Sequence, residues 1–279
     1  MPTLSSIHVY PLKSASGIAP DAADVERRGL AGDRRWMLVD DEGTFLSQRS
    51  HPRLALIDVT ATAEGLRLTA PDCPPLDVPR PEAIAPAQTQ RVTVWGDDVD
   101  AVAAADAAHT WCSAFLNTDV RLVYMPTSSR RAVDADYAVQ DDDVVSFADG
   151  YPLLLTTTAS LADLNDRLDA PLPMDRFRPN VVIGGTDAWA EDAWRRLRIG
   201  EVTFQSVKPC SRCAVTTTDQ QTATRGTEPL TTLATFRRDA DAGKVYFGWN
   251  LIPEAPGRLH VGDTVEVLDR GASPQFGGS

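Results

Sequence analysis

The stretch KPCSRCAVTT at 208–217 sets two thiols, Cys210 and Cys213, three residues apart, with Lys208 just upstream. A C-x-x-C pair can be half of a zinc site, a redox dithiol, or one thiolate acting as ligand or nucleophile. A structural zinc site needs four ligands, normally a second C-x-x-C or a paired histidine motif. Here Cys73, Cys112 and the histidines His8, His51, His109 and His260 are scattered singly, which disfavours zinc. A thioredoxin-type dithiol needs its first Cys at a helix N-terminus, where the macrodipole favours the thiolate. The residues after Cys213, AVTTTD, are β-branched and read as a strand, which weakens the redox option. The third option is a single thiolate in an anion-binding loop. In that setting Lys208 and Arg212 would lower the pKa of a neighbouring thiol and could hold a phosphate or oxyanion.

Other cationic loops point the same way: LKS at 12–14, GDRR at 32–35 and DRFRPN at 175–180. Neither G-x-x-x-x-G-K-[ST] nor a G-x-G-x-x-G following a strand occurs, so this is neither a P-loop nor a dinucleotide fold. Several Arg and Lys residues from separate loops, joined by hydroxyls, suit a cofactor bearing a phosphate and a polar ring. The chain has only three lysines, Lys13, Lys208 and Lys244, and two of them sit beside Ser14 and Cys210.

These residues need a scaffold, and the 279-residue chain is long enough for one large or two modest domains. A net charge of −12 repels phosphate backbones and anionic lipid, so nucleic acid and membrane surfaces are poor partners. No run approaches the ~18 apolar residues of a membrane span, and no signal peptide opens the sequence. With sparse cysteines, this leads to the expectation of a cytoplasmic, monomeric protein in a reducing compartment. The N-terminal part reads as strands and hairpins: a strand ending at Pro11, then turns at Asp41-Glu42-Gly43 and Glu64-Gly65. The Pro-rich stretch 71–86 reads as loop, RVTV (91–94) as a strand, 101–116 as an Ala-rich helix and RLVYM (121–125) as a strand. The acidic run 136–150 reads as a solvated surface loop. Further on, YPLLLTTT is a buried strand and ASLADLNDRL a helix capped by Thr157 or Thr158. RPNVVIGG, RIGEVTFQSVK, KVYFGWN and RLHVGDTVEVL read as strands and PLTTLATFRRD as a helix, while 271–279 reads as a frayed tail. Strands outnumber helices without regular alternation, which argues against a doubly wound fold.

The order of motifs is similar to that of the MOSC-domain proteins with an extra N-terminal β-barrel, the family containing the mitochondrial amidoxime reducing component and its bacterial relatives. It is carried by YPLKS, LAGDRRWMLVD and FLSQRSHPRLALI in the N-terminal half. In the C-terminal half it is carried by LLLTTTASLADLN, RFRPNVVIGG, WAEDAWRRLRIGEV, KPCSRCAVTTTDQQT and LHVGDTVEVL. The resemblance implies an α+β, mainly β fold: an N-terminal β-barrel-like domain (1–125) packed on a MOSC β-barrel domain with a few helices (126–270), followed by a disordered tail (271–279). It implies a molybdenum cofactor, Mo-molybdopterin, with Cys213 as metal ligand and catalytic residue and Cys210 as a supporting thiol. It also implies cofactor contacts from Lys13, Ser14, Arg34, Arg178, Asn180, Ser211 and Arg212, with Thr157 and Ser160 carried over from the TTTAS turn. The family is further associated with pyridoxal phosphate.

The activity implied is reduction of small N-oxygenated substrates such as amidoximes and hydroxylamines. No cysteine follows Cys213, so the C-x₄-C-x₂-C run of a plant-type [2Fe–2S] domain is missing. The expected electron source is then an external donor, a ferredoxin- or cytochrome b5-like reductase system. The sequence names no proton donor, and Asp33 and Asp219, although in the relevant loops, read as structural. The alternatives are a cofactor or sulfur carrier without reductase activity, and a non-catalytic barrel.

Overall fold

The computed structural model describes residues 1–81 and 89–277. It is mostly β, 39% strand against 15% helix, as expected. The N-terminal half contains β1 (Thr3–Ile7), β2 (Ala22–Glu26), β3 (Gly29–Leu30), β4 (Trp36–Val39), β5 (Asp58–Ala61) and β6 (Gly65–Ala70). After these come β7 (Cys73–Pro79), β8 (Thr89–Val94), β9 (Asp97–Ala103), α1 (Asp106–Leu116) and β10 (Arg121–Tyr124). The C-terminal half begins with β11 (Leu153–Thr157), α2 (Thr158–Asn165), β12 (Val181–Gly184), β13 (Trp194–Ile199) and β14 (Val202–Ser211). It closes with α3 (Leu230–Ala234), β15 (Tyr246–Pro253), β16 (Gly257–His260) and β17 (Val265–Arg270).

The main sheet has seven strands in the order β1-β12-β11-β15-β14-β13-β17. Its first strand comes from the N-terminal half, and β16 in turn pairs with β2, so the two halves exchange strands. Smaller sheets run β4-β10-β9-β8 and β5-β6-β7. Strand β4, WMLV, is buried at every residue because both of its faces are covered. Trp36 and Leu38 face the core built with α1, while Met37 and Val39 face a second cluster with Val92, Val99 and Phe147. The core of the large sheet gathers Leu4, Ile7, Leu155, Ile183, Trp194 and Phe204.

Several elements depart from the sequence reading. Residues 73–79 of the Pro-rich stretch form β7 rather than loop. The strand lies at a sheet edge, where missing N–H donors are tolerated, and Val78 packs inward. The rest of that expected loop, 82–86, lies outside the described residues. Helix α1 begins at Asp106, not at 101, because Ala101 and Val102 pair with β8 and β10 takes Val102 and Ala103. From there Ala108, Trp111, Cys112, Phe115 and Leu116 form one buried stripe at helical spacing. AVTT (214–217) is a 3-10 turn rather than a strand. The Thr216 and Thr217 hydroxyls donate to the carbonyls of Cys213 and Ala214, a local bonding that overrides β-propensity. The tail is docked through residue 277: Phe276 stacks on Tyr246 at 5.4 Å, the Arg237 guanidinium lies 4.2 Å from its ring, and Gly277 bridges Arg238.

Thr157 caps α2 as expected, its hydroxyl accepting from Ser160 N at 3.1 Å. That role takes it away from any ligand. Thr157 and Ser160 are fully buried and donate to Glu191 at 3.2 and 2.7 Å, with the Trp189 N–H returning to Ser160 Oγ. The expectation that they contact a cofactor is corrected: they seal a carboxyl inside the fold. Beside it, Asp192 accepts a bidentate pair from Arg237 and the Trp249 indole N–H.

Burial pushes the Glu191 carboxyl up from 4.5 to about 7, with the Ser160 hydrogen bond opposing. A folded-state pKa raised this way favours the native state at low pH and withdraws that support as pH rises through about 7. Between pH 5 and pH 8 the wild type should therefore lose up to about 3 kcal/mol relative to Glu191→Gln, measured by urea denaturation. Parallel pH slopes for the two proteins would refute the assignment. A second test concerns the joint between halves. Gly29 has φ +112°, and an added Cβ would lie 2.3 Å from Pro152 O. Gly29→Ala should cost about 2 kcal/mol or more, read from the urea midpoint.

Candidate functional site

Four loops converge on a cavity of about 660 Å³ that both halves line. The first follows β1. Ser14 takes a left-handed φ of 69°, and Lys13 runs inward with only 4% of its surface exposed. Its ammonium donates to Phe147 O at 2.7 Å and Asp149 Oδ1 at 2.6 Å. Burial lowers the Lys13 pKa and Asp149 opposes that shift.

The second loop carries Arg34 (φ 46°) and the third Arg178 (φ 54°). Their guanidinium groups lie 4.3 and 4.2 Å from the centre of the Tyr10 ring, so one buried phenol is flanked by two cations. Arg34 also donates to Asp33 at 2.7 Å, to Asn180 Oδ1 at 3.0 Å and to Arg178 O at 3.1 Å. Asp33 is buried and additionally accepts from Tyr10 N, a structural role as expected. Asn180 accepts from Leu154 N and donates to His8 O, so it staples β1, β11 and Arg34 together. Arg178 donates to Ala15 O through Nη1, while its buried Nη2 has no partner. Burial pushes Arg178 down to about 10, which leaves it charged near neutrality.

The fourth loop is the C-x-x-C segment. Cys210 and Cys213 are free and partly buried. Arg212 donates to Cys210 Sγ at 2.9 Å and to Phe177 O at 2.7 Å, and its buried Nε has no partner. Ser211 is exposed at the end of β14 and lines the cavity. The Cys213 sulfur accepts from Arg49 Nη2 at 3.0 Å. The expectation that Lys208 and Arg212 lower a neighbouring thiol pKa is corrected at Cys210: burial pushes that thiol up and Arg212 only opposes it. The Lys208 ammonium instead sits 3.9 Å over the Tyr137 ring.

The cavity thus brings together Lys13, Ser14, Arg34, Arg178, Asn180, Ser211, Arg212 and Cys213. Thr157 and Ser160 stay outside it. Among the lining residues not anticipated are three that bear on the chemistry, Asp149, Arg49 and Trp95. Asp149 closes the acidic run read as a solvated surface, yet Val145 and Phe147 just before it are buried and turn its carboxylate toward Lys13. Desolvation against the cavity wall would by itself raise the Asp149 carboxyl, although 65% of the side chain stays exposed. Lys13, then Arg49 and the Trp95 N–H, outweigh that and hold it well below the usual carboxylate range. Arg49 lies in the quoted FLSQRSHPRL motif, which gave no hint of which residue faces the thiol. The buried VVSF run just before the ADG turn was the available signal for Asp149.

Charge distribution is the distinguishing property of the cavity. Lys13, Arg34, Arg49, Arg178, Lys208, Arg212 and Lys244 line it against one carboxylate, Asp149, in a chain of net charge −12. All three lysines of the chain are among them. Clustered cations with buried N–H groups lacking acceptors make an anion site. Among the described residues, no three His, Cys, Asp or Glu side chains gather as a metal cage. A metal at Cys213 would take one protein sulfur and need its remaining ligands from a cofactor. That donor set, soft thiolate beside an anion cradle, fits a phosphate-bearing dithiolene pterin.

Comparison with known proteins agrees in span and order. Residues 1–119 match the family described as "MOSC N-terminal beta barrel domain", and residues 142–266 match "MOSC domain". The chain is 34% identical over 284 residues to "Mitochondrial amidoxime-reducing component 1" of Homo sapiens, covering 95% of this chain and 83% of that protein. It is 35% identical over 283 residues to the Mus musculus protein of the same name (95% and 82% covered). It is 33% identical over 277 residues to "Mitochondrial amidoxime reducing component 2" of Bos taurus (94% and 82% covered). With both domain matches in place and that identity sustained over nearly the whole chain, the protein belongs to the MOSC-domain family that contains the mitochondrial amidoxime-reducing components.

Proposed function

We propose that this protein holds a molybdenum–pterin cofactor in the cavity, with Cys213 as the protein ligand to the metal, and reduces N-oxygenated small molecules with electrons from a separate donor protein. The observation that carries this reading is the placement of the Cys213 sulfur in a cavity lined by seven cations and one carboxylate, with Arg178 Nη2 and Arg212 Nε buried and unpartnered. The names of the relatives supply the reaction class, amidoxime reduction. When bound, the molybdenum centre supplies the two electrons that break an N–O bond.

The residues of the chain divide the remaining work. Arg178 and Arg212 each keep a free N–H for the phosphate and pterin edge, while Lys13, Ser14, Arg34 and Ser211 line the same wall. Asn180 contributes by fixing Arg34 rather than by touching the cofactor. Arg49 orients on the Cys213 sulfur and places positive charge against it. Asp149, kept ionised by Lys13 and Arg49, does not act as a proton donor near neutral pH. The donor is a ferredoxin- or cytochrome b5-like system in this reading, and the working compartment is the cytoplasm.

The test is metal analysis on protein from a host that makes the cofactor. Wild type should carry close to one molybdenum per chain, and Cys213→Ala should lose it. Arg178→Gln should weaken cofactor retention about tenfold or more, since a charge-assisted hydrogen bond to an anion disappears. Benzamidoxime turnover with either donor system should follow the molybdenum content. Equal metal in wild type and Cys213→Ala would end the ligand assignment. Full loading without turnover by any donor would leave a cofactor carrier instead of a reductase.

A further inference from the structure

The turn that joins β8 to β9 is Trp95-Gly96, and both residues have positive φ, 55° and 90°. Two-residue hairpin turns of this kind favour Asn-Gly or Asp-Gly, because a bulky L side chain is strained in the left-handed region. Turn chemistry therefore does not explain a tryptophan at the first position. Its side chain sits where it can act, because Trp95 lines the cavity and is 45% exposed. The indole is nevertheless held on several sides. Its N–H donates to Asp149 Oδ1 at 3.2 Å, the Phe45 ring lies 4.8 Å away at a 53° tilt, and the Arg49 guanidinium lies 4.2 Å over it. That same guanidinium donates to Cys213 Sγ at 3.0 Å. One guanidinium separates the indole from the Cys213 sulfur.

The other rings lining the cavity are less available. Phe177 is fully buried and stacks on Phe247 at 3.9 Å, and Tyr151 packs edge-on against Tyr137. Seven cations also line the cavity, Arg49 among them at the Cys213 sulfur. Among the rings lining the cavity Trp95 is the exposed one, so a small substrate entering it meets the indole beside the Arg49 guanidinium.

We propose that Trp95 is a specificity-determining wall of the substrate site, stacking with planar conjugated N-oxygenated compounds and favouring them over small aliphatic ones. This rests on the reading of the cavity as N-reductive. Aromatic stacking on an exposed indole discriminates by about tenfold, and it does so without charge, which suits neutral amidoximes in a cationic cavity.

The experiment measures binding of benzamidoxime and acetamidoxime by calorimetry to the cofactor-loaded protein, without an electron donor, so that neither is consumed. Wild type is compared with Trp95→Phe, which keeps a π-face, and Trp95→Leu, which keeps bulk alone. The preference for benzamidoxime should fall about tenfold in the Leu variant and less than about threefold in the Phe variant. If Leu weakens both ligands by the same factor, Trp95 is only a prop for Arg49 and the proposal is overturned. It is equally overturned if wild type shows no preference. Turnover with a donor forms a separate arm. A Trp95-dependent binding preference with no reduction of either compound would sink the reductase reading while supporting the wall. Reduction of both compounds with an unchanged ratio of kcat/KM in all three proteins would sink the wall alone.

Discussion

Seven like charges around one cavity repel one another, and the fold is arranged to tolerate that repulsion until an anion arrives. The principal device is the Tyr10 ring, flanked by the guanidinium groups of Arg34 and Arg178. A buried phenol offers its π-faces to both cations without neutralising either, and burial pushes its own hydroxyl up to about 12. Beside the carboxylates of Asp33 on Arg34 and Asp149 on Lys13, main-chain carbonyls take much of the rest. Phe147 O takes Lys13, Ala15 O takes Arg178, Arg178 O takes Arg34 and Phe177 O takes Arg212. Carbonyl oxygens satisfy N–H donors while leaving the net positive charge of the cavity in place, which a second row of carboxylates would have cancelled.

The arrangement is bought with backbone strain. Of the eight non-glycine residues with positive φ among the described residues, Ser14, Arg34, Trp95 and Arg178 line this one cavity. Each such residue costs on the order of 1 kcal/mol or more. The strained segments are short and each is anchored by well-buried strands: Lys13–Ser14 between β1 and β4, Arg34 before β4, Arg178 before β12. The left-handed turns aim the side chains inward, and the fully buried residues on both sides prevent relaxation. Strain here serves placement.

Much of this was legible in the sequence because cationic loops at strand ends and a C-x-x-C pair are local signals. The loops LKS, GDRR and DRFRPN and the C-x-x-C pair could be picked out by type and position, the family resemblance singled out Lys13, Arg34, Arg178, Arg212 and Cys213 within them, and the structure brings these residues to one cavity. What failed to read depended on tertiary context. A threonine capping a helix and a threonine touching a ligand look alike in TTTAS, and only the buried Glu191 decides between them. Pro74, Pro75 and Pro79 suggested loop, because nothing local says that β7 is an edge strand. AVTT has the composition of a strand, yet its hydroxyls close on their own backbone. Asp149 was hidden by the acidic residues before it, whose charges mask the buried Val145 and Phe147 that turn it inward.

The lysines tie the cavity to the joining of the two halves. With 27 basic residues and only three of them lysine, this composition uses arginine by default, and it keeps all three lysines on the cavity. At position 13 the reason is geometric: the cation must sit between Phe147 O and the Asp149 carboxylate with 4% exposure, a space for a compact ammonium and not for a planar fork. The location of Lys13 also explains the strand exchange. It follows β1 by only a few residues, and β1 is hydrogen-bonded to β12 of the C-terminal half, whose preceding loop supplies Arg178 and Asn180. The first charge of the N-terminal half is thus tethered to the sheet that presents the charges of the C-terminal half. Neither half can assemble the cationic cavity by itself, so the geometry of that cavity and the joining of the two halves are one structural event.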